Sequence, residues 1–101
     1  MAAKLDLLLQ SVEDVIGKSF DEIKGRKRNE EFVFARKTIV YYMQQDKYID
    51  GLIANVVGLS RSNVSGMRAT HDDDYRFNPK YRQIFDDITE LYFEKLKQSC
   101  S

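Results

Sequence analysis

Ile53-Ala54-Asn55-Val56-Val57-Gly58-Leu59-Ser60-Arg61-Ser62-Asn63-Val64-Ser65 is the stretch whose reading decides the fold of this chain. Ala54 offers a small side chain where two helices would touch. Four positions later Gly58 can take the positive φ that a tight turn between them requires. Ile53, Val57, Leu59, Val64 and Met67 fall at the spacing that locks a second helix onto the first. Asp50 and Ser60 stand where N-caps of the two helices belong. The segment therefore predicts a helix-turn-helix whose second helix exposes Arg61, Ser62, Asn63, Ser65 and Arg68. Those side chains are donors and acceptors of the kind that reach phosphates and base edges. The competing reading is a purely structural helical hairpin with a glycine turn. Against it, no acidic residue lies between Gly58 and Thr70, and Asn63 suits bidentate contact with adenine.

Working outward, 101 residues make one domain with a single modest core. The expected organisation is an N-terminal helix and turn over 1–23, a basic loop, central helix and helix-turn-helix over 24–70, and a C-terminal helix over 71–101. Sixteen cations balance sixteen carboxylates, which is unusual for a dedicated DNA binder. The balance is local rather than uniform. Residues 24–48 hold seven cations against three acids, whereas 1–23 hold two against five and 71–101 hold five against seven. A basic middle between acidic ends can dock on phosphates while the rest stays solvated. The single cysteine, Cys100, leaves no disulfide framework and reads as an incidental exposed thiol. Leu7-Leu8-Leu9 is too short for a signal peptide or membrane span, so a cytoplasmic location is expected. One proline and five glycines leave no linker or low-complexity segment.

Leu5, Leu8, Leu9, Val12, Val15 and Ile16 recur at helical spacing, predicting a helix over about Lys4–Gly17. Phe20 and Ile23 suggest a short helical turn or staple. Asn29, Glu30 and Glu31 open a long helix to about Gln45, with Phe32, Ala35, Ile39, Tyr42 and Met43 on its core stripe. Val33 and Val40 widen that stripe, which makes this the central helix. The helix-turn-helix helices follow near Gly51–Val57 and Arg61–Ala69. Asn78-Pro79 then opens the last helix, with Phe77, Tyr81, Ile84, Phe85, Ile88, Leu91 and Tyr92 on its apolar face. The expected architecture is all-α, about five helices around one core.

Other chemistry finds little support. His71 adjoins Asp72, Asp73 and Asp74, but consecutive residues point in different directions, and no second histidine or thiol completes a zinc shell. The cluster reads as a charged helix end, with a weak hard-cation site as the alternative. No phosphate-cradling glycine loop supports nucleotide hydrolysis, and no histidine beyond His71 could serve a triad. Neither catalysis nor a cofactor is expected. Arg26-Lys27-Arg28 reads either as a solvated loop or as a basic arm reaching phosphates or a narrow minor groove. Arg36 and Lys37 are further candidate phosphate partners. Tyr41, Tyr42, Tyr48, Tyr75 and Tyr81 read mainly as core or edge residues.

In this order, the elements resemble the C-terminal, domain IV-like DNA-binding domain of the bacterial replication initiator DnaA. Val12-Glu13-Asp14-Val15-Ile16 with Phe20, Ile23 and Gly25-Arg26-Lys27-Arg28 resembles that domain's connector helix and basic loop. Phe34 to Met43 is similar to its arginine-bearing second helix, and Asn78-Pro79-Lys80-Tyr81-Arg82 to the start of its final helix. The resemblance implies a Trp-repressor-like helical domain, with the basic loop in the minor groove and the second helix of the motif in the major groove. The family's Gly-Gly-Arg-Asp-His-Thr-Thr-Val is replaced by the shorter Gly58-Leu59-Ser60-Arg61-Ser62-Asn63-Val64. Arg26, Lys27, Arg28 and Val64 carry over, and the family's target sequence does not. The family's ATPase portion has no counterpart; the readings are a stand-alone homologue, a mobile-element protein or an excised domain, and Met1 slightly favours a complete small protein.

The expectation is thus a non-enzymatic protein partnered with double-stranded DNA and with other protein subunits as further partners, binding neither membrane nor nucleotide. Its contacts would be Arg26, Lys27, Arg28, Arg36, Lys37, Arg61, Ser62, Asn63, Ser65 and Arg68. The alternatives are a protein-interaction module that keeps the fold without DNA binding, a small transcriptional regulator, and a small metal or catalytic domain around His71–Asp74.

Overall fold

The computed structural model describes residues 4–100, and six helices follow one another along them: α1 (Lys4–Ile16), α2 (Phe20–Ile23), α3 (Glu30–Gln45), α4 (Asp50–Val57), α5 (Arg61–Phe77) and α6 (Pro79–Cys100). The all-α expectation holds, the sixth helix being the single turn α2. Met1 and the Cys100 side chain lie outside the described residues, as do the readings placed on them. No helix among the described residues is long and apolar enough to cross a membrane.

Helix α3 packs against all five others and is buried at every position from Phe34 to Val40. The expected stripe of Phe32, Ala35, Ile39, Tyr42 and Met43 is correct but too narrow. Phe34, Arg36, Lys37 and Thr38 are inside as well, because helices on all sides leave no face for water. Polar groups on such a helix must find partners in the protein. Thr38 accordingly donates to the Phe34 carbonyl at 2.9 Å.

Around α3 the core has two parts. One is aliphatic, with Val12, Ile39, Ile53, Val57, Val64 and Ile88 fully buried. The other is aromatic, built on Phe34, Tyr81 and Phe85 with Tyr41, Tyr42 and Tyr75 against them. Ring centroids in this second cluster lie about 5–6 Å apart, mostly in tilted and edge arrangements such as Phe34 and Tyr81 at 5.3 Å, with Tyr42 and Phe85 stacked at 5.6 Å.

Several boundaries follow the sequence. Ser60 Oγ accepts the Asn63 N–H at 3.2 Å and caps α5. Asn78 Oδ1 accepts the N–H groups of Lys80 and Tyr81, and Asn78 is the single residue between α5 and α6. Other expectations need correction. Helix α5 does not stop at Ala69 but runs to Phe77, because Met67, His71 and Tyr75 continue the inward row begun by Val64. The His71–Asp74 cluster is therefore helix interior, not a helix end. Phe77, placed by spacing on the face of α6, closes α5 and stands 74% exposed. Asp50 does not cap α4; it is the first helical residue and accepts from Arg68 Nη1 at 2.7 Å. Asn29 occupies the N-cap position of α3 without a side-chain cap bond.

Candidate nucleic-acid interface

Between α2 and α3 the chain makes a loop that carries Arg26, Lys27 and Arg28, all exposed. Its shape is set by three backbone attachments. The Gly25 N–H donates to the Val57 carbonyl at 2.8 Å, seating the loop on the last turn of α4. From the other side Arg36 reaches out of α3, Nη1 donating to the Ile23 carbonyl at 2.6 Å and Nη2 to the Lys27 carbonyl at 2.5 Å. Arg36 is only 3% exposed, and burial lowers its pKa. A buried guanidinium thus holds the loop by its carbonyls while the three loop cations stay exposed.

The turn after α4 meets this loop closely. Gly58 adopts φ of 71°, and its N–H and that of Leu59 converge on the Ala54 carbonyl. A Cβ at Gly58 would stand 2.9 Å from the Gly25 nitrogen. Two glycines, one on each side, let the turn and the loop touch backbone to backbone.

The result is an open groove of about 600 Å³. Arg26, Lys27 and Arg28 form one wall; Ser62, Asn63, Gly66 and Thr70 of α5 form the other. Among the described residues Lys4, Lys24, Lys37, Arg68, Lys80 and Lys95 each pair with a carboxylate; the three loop cations form no ion pair, like Lys18, Lys47, Arg61, Arg76, Arg82 and Lys97, but they alone of these are consecutive in the chain. Local positive charge therefore collects beside the groove although the chain is neutral overall.

At 100° per residue, α5 presents three faces. Val64, Met67, His71 and Tyr75 face inward. Ser62, Asn63, Gly66 and Thr70 face the groove. Arg61, Ser65 and Arg68 form the third face, toward the start of α4. There the Arg61 guanidinium lies against Gly51, 2.9 Å from where a Cβ would be, and Arg68 pairs with Asp50. Of the ten expected contact residues, Arg26, Lys27, Arg28, Ser62 and Asn63 come together in the groove, and the nearly buried Arg36 also lines it. Arg61, Ser65 and Arg68 stand outside it.

Arg36 and Lys37 are corrected more strongly. Both lie inside the protein, Arg36 under the loop and Lys37, 6% exposed, bonded to Asp74 and facing the Tyr81 ring. Exposure cannot be read from residue type once every face of α3 is covered. Gly66 and Thr70 were missed. Ser62 was expected, and the row Ser62, Gly66, Thr70 at four-residue spacing extends it, but Gly66 and Thr70 carry no charge to mark them.

Behind α5, His71 Nδ1 lies 2.7 Å from the Tyr81 hydroxyl, and its ring is 4.3 Å from that of Tyr41. Burial raises the Tyr81 pKa and lowers that of His71, so a protonated tyrosine and a neutral imidazole share this hydrogen bond, the tautomer of His71 setting which one donates. Asp74 is committed to Lys37, and Asp72 and Asp73 face outward. Among the described residues no group of three or more His, Cys, Asp or Glu could hold a metal ion.

The depressed His71 pKa has a sign. Below the ordinary value of about 6.5 the unfolded chain binds a proton that the folded one refuses, so stability falls as pH drops from there toward the folded pKa. Urea unfolding between pH 7.5 and 5 should show this loss, and His71→Phe should remove its share. An unchanged profile in His71→Phe would show that the slope belongs to other groups.

Compared with protein-family models, with curated proteins and with solved structures, the chain matches none.

Proposed function

We propose that this chain is a non-enzymatic, cytoplasmic duplex-DNA-binding protein in which α4 and α5 act as a helix-turn-helix. The observation that carries the reading is the groove shared by three unpaired cations and an uncharged polar helix face. A phosphate backbone supplies affinity by releasing counterions from such cations, while small polar side chains on a helix can reach base edges. Asp72 and Asp73 limit the contact to the first turns of α5, up to Thr70. The element order supports kinship in role with the DnaA-type initiator domain, with base-reading residues of its own.

Titration of labelled duplexes at increasing salt tests this. Affinity should fall steeply with salt, and each of Arg26→Ala, Lys27→Ala and Arg28→Ala should weaken binding to every sequence. Each lost phosphate contact should reduce the log–log salt slope by about 0.9. Duplex affinity that is unmeasurable at low salt, or indifferent to salt, ends the proposal.

The second reading is a protein-contact module. It is favoured by the large apolar side chains Ile49, Leu52 and Phe93, which are about half exposed or more. Under it, duplex affinity is absent and charge reversal at Arg61 and Arg68 leaves function intact.

A further inference from the structure

We infer that the groove reads A·T base pairs from the major-groove side, Asn63 recognising adenine and the Thr70 methyl group a thymine; this rests on the duplex-DNA reading above. Guanine is read most often by arginine or lysine bonding to its O6 and N7, and adenine by asparagine or glutamine bonding to N6 and N7. The groove face of α5 has no cation. Arg61 and Arg68 sit on another face, one against Gly51 and the other paired with Asp50. The loop cations form the opposite wall, where they suit phosphates.

Three features of that face then point the same way. The exposed Asn63 side-chain amide has no partner among the described residues, since the cap bond to Ser60 uses its backbone N–H. Thr70 is exposed and its Oγ1 donates back into its own helix, to the Gly66 carbonyl at 3.0 Å, so its methyl group is what it has left to offer a partner. Gly66 stands in the helix interior with nothing within 4 Å of where a Cβ would be. The fold therefore makes no demand for glycine there, although glycine weakens a helix. What the missing side chain provides is close approach of an external surface to the helix backbone. Asn63 and Thr70 are about 10 Å apart along the axis, roughly three base-pair steps of duplex.

The experiment compares A·T-rich and G·C-rich duplexes of equal length, and A·T-rich duplexes with uracil in place of thymine, which removes the C5 methyl. The chain should favour the A·T-rich duplex by about tenfold or more, and Asn63→Ala should abolish most of that preference while keeping the salt-dependent affinity. Uracil substitution should weaken binding by the native chain and have little effect on Thr70→Ser. A preference that survives both substitutions would belong to the basic loop in a narrow minor groove and overturns the assignment, as does equal binding of both compositions. Both results leave the DNA-binding reading standing. Absence of salt-sensitive binding to any duplex overturns the two together.

Discussion

Arg36→Ala is expected to lower the stability of the fold by about 3 kcal/mol, roughly the value of two hydrogen bonds from a charged donor less the relief of removing a buried charge. The Ile23 and Lys27 carbonyls lose the guanidinium that joins them. The first of these bonds is buried and the second only partly so, which makes the Ile23 carbonyl the costlier loss. For a domain of this size the melting temperature should drop by more than 10 °C, at about 4–8 °C per kcal/mol. Arg36→Met keeps the aliphatic stem and should cost less, so the difference between the variants measures packing. Both should also weaken duplex binding, because the loop that carries the unpaired cations would lose its inner anchor. Stability within about 0.5 kcal/mol of the native value in Arg36→Ala, the range of an ordinary surface change, would mean that Arg36 does not hold the loop.

Gly58→Ala is expected to cost about 2 kcal/mol. An L-residue pays about 1–2 kcal/mol in the left-handed region, and here the new methyl group also meets the Gly25 nitrogen at 2.9 Å. The bond from the Gly25 N–H to the Val57 carbonyl would stretch as the loop moved away. Gly66→Ala is the internal control. Its site is helical and open, so the same substitution should stabilise by roughly 0.5–1 kcal/mol. Chemical denaturation of the pair decides the matter. Equal effects at the two positions would show that neither the positive φ nor the close approach matters at Gly58.

These expectations show where sequence reasoning reaches and where it stops. Gly58, Ser60 and Asn78-Pro79 could be placed from local chemistry, because a turn, a cap and a helix start depend on few neighbours. The basic run Arg26-Lys27-Arg28 was visible for the same reason. Arg36 and Lys37 were not separable from it, since a cation in a helix looks alike whether it faces water or a carbonyl. The length of α5 was misjudged because three consecutive aspartates resemble a terminus. The contacts of His71 with Tyr81, of Asp74 with Lys37 and of Tyr75 with Asp86 hold that segment to the rest of the fold as helix.

Local pattern by itself determined an all-helical chain, its principal boundaries, and a helix pair joined by a glycine turn. Those follow from hydrophobic period, capping and backbone freedom, which act within a few residues. Tertiary structure alone decided which polar side chains share a surface. Residues far apart in the chain meet there only because α3 is enclosed on every side and Gly25 rests on Gly58. The groove is made by that contact, with loop cations on one wall and a bare, uncharged helix face on the other.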